Sequence, residues 1–193
     1  MKNLLLSEDD IYHETFHGDF SNLNLKSKTI NDSNFSSSEI NETIIENVLF
    51  DKVTFEKCDL SNTKFIDCSF RDTKFINSKL LGTNIINCRL TNVSIEDSVC
   101  KYINLVDLKT KKLIIKNSDL SESSFYNIEL VKFEINDSIL TSTEFYNTKL
   151  KGIDLSTCKI GGLKLSPDAL KGVKVNMVQA LELVNLLGIE IVD

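Results

Sequence analysis

Leu, Ile or Phe stands at every fifth position from Phe20 to Leu165. Of those thirty positions, only Cys100 and Thr110 depart from the rule. An α-helix repeats every 3.6 residues and a β-strand every two, so neither has this period. A short period held over most of a chain specifies a solenoid. Each unit is too small to bury its own apolar residue and does so only by stacking on its neighbours.

Around each central residue the five-residue unit keeps a second regularity. The residue two before the centre is small, as in Ser33, Ser38, Thr43, Val48, Val53, Thr63, Ser78 and Thr83, or a cysteine such as Cys58, Cys68 and Cys88. One large and one small inward side chain per unit can fill a narrow interior. The other positions are left to Asn, Asp, Lys and Ser, which suit turns. The pattern falters at Leu108-Lys109-Thr110-Lys111-Lys112 and resumes unshifted at Ile115, so an imperfect unit or a bulge is expected there. Larger residues take the small position nearby, at Ile103, Leu108, Leu113, Ile128 and Phe133.

Units such as Cys58-Asp59-Leu60-Ser61-Asn62 and Thr73-Lys74-Phe75-Ile76-Asn77 resemble the pentapeptide-repeat family, generically A(D/N)LXX, over about three quarters of the chain. The resemblance implies an all-β fold, a right-handed quadrilateral parallel β-helix with twenty residues per coil. Residues 19–165 would then form about seven coils, on the order of 35 Å long at the usual strand spacing. Length, the nearly unbroken repeat and the segment Leu170-Lys171-Gly172-Val173-Lys174-Val175…Gln179-Ala180…Leu187-Gly188-Ile189 are similar to the Qnr-type quinolone-resistance branch. That likeness implies a homodimer, DNA gyrase or topoisomerase IV as partner, and acidic surfaces that imitate DNA. No looped insertion interrupts the repeat, and one face of the rod is basic.

The ends depart from the period. Residues 1–18 are expected to cap the open core. They contain His13-Glu14-Thr15-Phe16-His17, which satisfies H-E-x-x-H. Two histidines one helical turn apart would share a metal, with the glutamate as base. β-Branched Thr15 and the adjacent Gly18 argue against a helix, so no metal site is assigned. Residues 166–193 form a second cap. Ser166-Pro167-Asp168 reads as a helix start, Gly172–Val175 as a short strand, Asn176 as the cap of a helix over 177–187 and Ile189–Val192 as a returning strand. That helix carries Met177, Val178, Leu181, Leu183, Val184 and Leu186, more apolar surface than one coil end needs. The predicted use is an isologous dimer interface.

The five cysteines, Cys58, Cys68, Cys88, Cys100 and Cys158, match no zinc spacing and read as buried hydrophobes in a reduced cytoplasm. Cys68 and Cys88 are one coil apart. No apolar run reaches membrane length, and a net charge of −6 predicts no general attraction to nucleic acid. A twenty-residue coil sorts the remaining charges by face. The face centred on Ile30, Phe50 and Phe70 holds four acids and ten cations, among them Arg71, Arg89, Lys109, Lys111, Lys112, Lys132 and Lys151, a basic face whose alternative use is to bind a polyanion. The faces centred on Ile40 and Phe35 are acidic. One residue after the centres of the Leu25 face stand Ile66, Ile86, Val106, Tyr126 and Tyr146, an expected outward apolar ridge for a partner. No Gly-rich phosphate loop, no G-x-S-x-G and no paired carboxylates in a cleft occur, so a non-catalytic protein without cofactor is expected.

Overall fold

The computed structural model describes residues 2–184, 186, 188 and 189. The chain winds a right-handed quadrilateral parallel β-helix of about eight turns, closed by a small C-terminal helix. Three walls are continuous parallel sheets. The Leu25 wall has eight strands, and the Ile30 and Phe35 walls have seven each. The fourth, the Ile40 wall, is held by single bridges that run from Glu39 through Asp59, Lys79, Val99, Asp119 and Ile139 to Lys159.

Why the walls are only about three residues wide follows from the unit. The central residue points in and its two neighbours point out, as in Lys64–Ile66, where Phe65 alone is buried. The second residue after the centre then turns the corner in the left-handed region. Asn22 has φ 57°, Ser27 53° and Asp32 45°, and the column continues in this way, except at Lys112, to Asn147 at 46°. That conformation is costly for L residues and least so for Asn and Asp. It is held because the N–H of the corner residue points along the rod and donates to the next coil, as from Ser27 to Glu46 O at 3.0 Å and from Asp32 to Asp51 O at 2.9 Å.

Coils superpose residue on residue at an offset of twenty, so Phe55 pairs with both Phe35 and Phe75. The rings of Phe16, Phe35, Phe55 and Phe75 form one stack with centroids 4.6, 4.9 and 4.9 Å apart. Beside this stack the small position satisfies inward backbone groups. Thr63, Thr83 and Thr143 donate to the carbonyls of Ile40, Leu60 and Leu120 at 2.7, 2.8 and 2.7 Å, each twenty-three residues earlier. Ser78, Ser98, Ser118 and Ser138 accept from the amides of Cys58, Ser78, Ser98 and Ser118, which makes a hydroxyl ladder along one corner. All five cysteines are free and buried, and the Cys68 amide donates to Cys88 Sγ at 3.3 Å.

The residues expected as an N-terminal cap divide in two. Helix α1 (Lys2–Ser7) covers the end of the core with Leu5. Asp10–Tyr12 and Thr15–Asp19 already form strands of the first turn. This turn is one residue short. Ile11 pairs with Ile30 and Phe16 with Phe35, but Gly18 pairs with Ser38. Gly18, at φ 109°, absorbs the missing residue in a conformation strained for any side chain. The sequence signal was Ile11 and Phe16, five apart and followed by a step of four to Phe20.

At the imperfect unit Thr110 is buried as a centre. Its hydroxyl donates to Glu129 O at 3.1 Å and accepts from Val131 N at 3.2 Å, so it stands inside the ladder between coils. The strands there shrink to Lys109–Thr110 and Glu129–Leu130. Leu108, Leu113, Ile128 and Phe133 are buried around it and fill the volume that a larger centre would take. Replacing Phe55 by Ala opens a cavity between two stacked rings and is expected to cost about 3–5 kcal/mol. Urea unfolding of the variant measures this, and a near-neutral value would mean that the stack does not hold the coils.

Candidate interaction surfaces

The walls leave the outward positions in straight rows, one residue per coil at the inter-strand spacing of about 4.8 Å. Among the described residues no group of three or more His, Cys, Asp or Glu side chains could hold a metal ion. The H-E-x-x-H residues do not lie on a helix. His13 turns the corner between two strands, with Nδ1 2.9 Å from Asp32 Oδ2, and His17 is in the second strand, with Nδ1 2.9 Å from Ser36 O. No helix of the described residues is long and apolar enough to cross a membrane.

The apolar ridge tapers. Tyr126 and Tyr146 are exposed and stack on each other, with ring centroids 4.8 Å apart and planes 7° from parallel. Ile66, Ile86 and Val106 occupy the same row but are half-buried. Short β-branched side chains one coil apart cover each other's flanks, and only the longer tyrosines project beyond the wall.

On the Ile30 wall the structure redistributes charge. Lys28 belongs to the inward small column and is buried. Its Nζ donates to Glu8 O at 2.6 Å and lies 3.6 Å from Asp9, so it ties the N-terminal segment down. Arg71 is paired with Asp51 at 3.4 Å. Lys52 also stands in the first half, and the other seven cations, Arg89, Lys109, Lys111, Lys112, Lys132, Lys149 and Lys151, all lie in the C-terminal half of this wall. None of these seven makes an ion pair among the described residues. Arg89 and Lys109 are paired strand neighbours. Lys109 and Lys149 border a 560 Å³ groove along the corner with the Leu25 wall, together with Asp107 and Glu129.

The acids concentrate at the other end. Residues 1–75 contain fourteen acids and eight bases, and the remainder contains fourteen of each, so the first part carries the whole net charge of −6. Asp19, Glu39 and Asp59 stand one above another on the Ile40 wall. In this wall the acids close short turns: the Ser61 and Ser121 amides donate to Asp59 and Asp119, both at 3.0 Å. Partial burial alone would raise these two carboxyls. The serine bonds and the nearby Lys79 or Lys101 outweigh it and hold both below the usual 3.8.

The C-terminal segment begins with a 3₁₀ turn, Pro167–Leu170, in which Ser166 makes no side-chain capping bond. In place of the short strand expected over Gly172–Val175 there is one bridge, Lys174 to Asp154. Helix α2 (Met177–Val184) follows. Its expected continuation to Leu187 and the strand expected over 189–192 lie, apart from Leu186 and Ile189, outside the described residues. Met177, Val178 and Leu181 are exposed, at 83%, 67% and 53% of full accessibility. Leu183, Val184 and Leu186 are half-buried.

The side chain that docks α2 is Gln179, which sequence reasoning did not single out. Asn176 and Gln179 form a reciprocal capping box: Gln179 N donates to Asn176 Oδ1 at 3.0 Å, and Asn176 N to Gln179 Oε1 at 2.8 Å. The spacing N-x-x-Q was the available signal. Gln179 is buried, and its Nε2 donates to Leu155 O at 2.8 Å and Cys158 O at 2.6 Å. Lower in the rod, the equivalents of the Cys158 carbonyl receive an amide of the following coil, as from Lys159 to Ser138 O at 2.9 Å. The equivalents of the Leu155 carbonyl receive a small-position side chain, as from Ser78 to Phe55 O at 3.2 Å. One glutamine amide thus replaces two donors of a coil that does not exist.

A family model described as a pentapeptide repeat region matches residues 48–125. The five-residue period runs on from this region in both directions without a break in register, from Phe20 to Leu165. Among solved structures, the chain is similar to a trypsin-treated form of QnrB1, described as a plasmid-mediated fluoroquinolone resistance protein. The identity is 19%, with 95% of this chain and 99% of that one covered and a TM-score of 0.47. It is also similar to the pentapeptide repeat protein Rfr23 from the cyanobacterium Cyanothece 51142, at 16% identity, 62% and 96% coverage and a TM-score of 0.45. A third is HetL from Nostoc sp. strain PCC 7120, described as involved in heterocyst differentiation regulation. It is 10% identical, with 85% and 86% coverage and a TM-score of 0.38. No curated protein matches the sequence.

Changing Gln179 to Ala strands the buried carbonyl of Cys158 and leaves that of Leu155 to the Cys158 amide alone, and is expected to destabilise the protein by about 1–3 kcal/mol. Thermal unfolding beside the exposed control Glu182→Ala tests this. Equal midpoints would show that the amide contributes nothing to closing the rod.

Proposed function

We propose that this protein is a non-catalytic, cytoplasmic interaction rod that engages a type II topoisomerase, DNA gyrase first and topoisomerase IV second, and lowers its sensitivity to quinolones. The observation that carries the reading is the acidic N-terminal part, where Asp19, Glu39 and Asp59 repeat one coil apart on a rigid wall. An enzyme that grips duplex DNA does so through rows of cations placed for phosphates. The Asp19 and Asp59 carboxylates, held by the Ser21 and Ser61 amides on either side of Glu39 in the row, offer those cations a partner at little ordering cost. The likeness of the repeat to Qnr-type proteins favours the same partner, and that of the C-terminal segment favours the dimer.

A homodimer fits the same function. Met177, Val178 and Leu181 present an apolar face on α2 that a second copy would cover and that a lone rod exposes to water. Met177→Asp with Leu181→Asp is expected to halve the mass found by sedimentation equilibrium while the β-sheet spectrum stays unchanged. A monomer before the substitution removes this part of the reading.

The topoisomerase part is tested with purified gyrase, a relaxed plasmid and ciprofloxacin. Supercoiling is expected to recover as the rod is added and to fail to recover with Glu39→Lys and Asp59→Lys. Recovery should survive Tyr126→Asp with Tyr146→Asp. If supercoiling is neither protected nor inhibited across a wide concentration range, gyrase is not the partner. Loss of recovery in the tyrosine variant alone would move the contact to the Tyr126–Tyr146 ridge.

A further inference from the structure

The Ile30 wall changes sign along its length. Its first half carries Asp10, Asp32, Asp51 and Asp72 against Lys52 and an Arg71 already paired with Asp51, since Lys28 is buried. Its second half carries the seven cations from Arg89 to Lys151, and Glu129 is the one acid within the same rows. Asp107 borders them at the corner with the Leu25 wall, Asp168 shares a groove with Lys149, Lys151 and Lys171, and Glu134 stands on the adjoining Phe35 wall. The cations cover four successive coils, on the order of 15 Å along the axis. Local charge and net charge therefore point in opposite directions.

We propose that the C-terminal half of the Ile30 wall binds the phosphate backbone of duplex DNA, without reading its sequence, as a polyanion that crosses the rod. Three features select this partner. Six of the seven cations are Lys, which meets a phosphate as a point charge and lacks the fork that Arg uses on guanine. The exposed apolar side chain among them is Val131, so the rows offer no aromatic platform for the bases of a single strand. An anionic membrane would lie along the whole wall and meet Asp10, Asp32, Asp51 and Asp72, whereas a duplex lying across the rod touches the basic coils alone. The attraction is local, so the binding is weak and strongly salt-dependent. It is separate from the acidic part on which the topoisomerase reading rests, and either can fail without the other.

Fluorescence anisotropy of a short labelled duplex, with the unmodified protein, tests the proposal. Binding is expected at about 50 mM salt, with log K against log salt falling at a slope of about −3 to −5, as three to five neutralised phosphates require. Lys109→Glu, Lys111→Glu and Lys149→Glu together should weaken it at least about tenfold. Lys64→Glu with Lys74→Glu, on the other two sheet walls, should leave it nearly unchanged. Circular dichroism checks that both variants keep the fold, and the salt slope is read on the unmodified chain. Absence of binding at low salt, a slope near zero, or equal affinity in the triple variant would overturn the proposal. Tighter binding to phosphatidylserine vesicles or to a single strand than to the duplex would overturn the choice of partner.

Discussion

The rod depends on one constraint: each coil's backbone bonds to the next at an offset of twenty residues. Once that offset is kept, every other regularity follows. Phe55 must sit between Phe35 and Phe75, and the hydroxyl of Thr83 must reach Leu60 O. Ser27 must hold a left-handed conformation so that its N–H meets Glu46 O. The ladder also explains what is tolerated. Thr110 replaces an apolar centre without breaking the register because its hydroxyl takes up backbone groups that the irregular coil would otherwise leave unpaired.

Such a core is uniform along the axis and carries no information for a partner. Distinction comes from the outward rows, where substitution costs the fold little. The rod uses this freedom to separate its charges: acids toward the first coils, unpaired cations on one wall of the later ones, and an aromatic pair on the next wall. Averaging over faces hides the separation, because the Ile30 wall has opposite signs at its two ends.

The fold was readable because its period belongs to the side chains that build it. Leu, Ile and Phe at every fifth residue named the core, and small residues two positions earlier named its filling. The departures were less readable, each for a physical reason. Lys28 was counted as surface by its charge, although its position two before Ile30 is inward and its amine finds Glu8 O. The first turn was hidden by one missing residue at Gly18, which shifts the arithmetic but not the geometry. Of the row from Ile66 to Tyr146 only the two tyrosines project, since side-chain length decides what emerges from a stack. Gln179 acts through carbonyls more than twenty residues away, and main-chain acceptors leave no mark in a sequence.

A repeat of this kind has no natural length, because its last coil presents the same acceptors as every other and can template another turn or another molecule. The rod ends where Gln179 occupies those acceptors with a side chain, which bonds downward but offers no strand above. The glutamine therefore acts as a chain terminator. It stands between a rod of finite length and the first unit of a fibre.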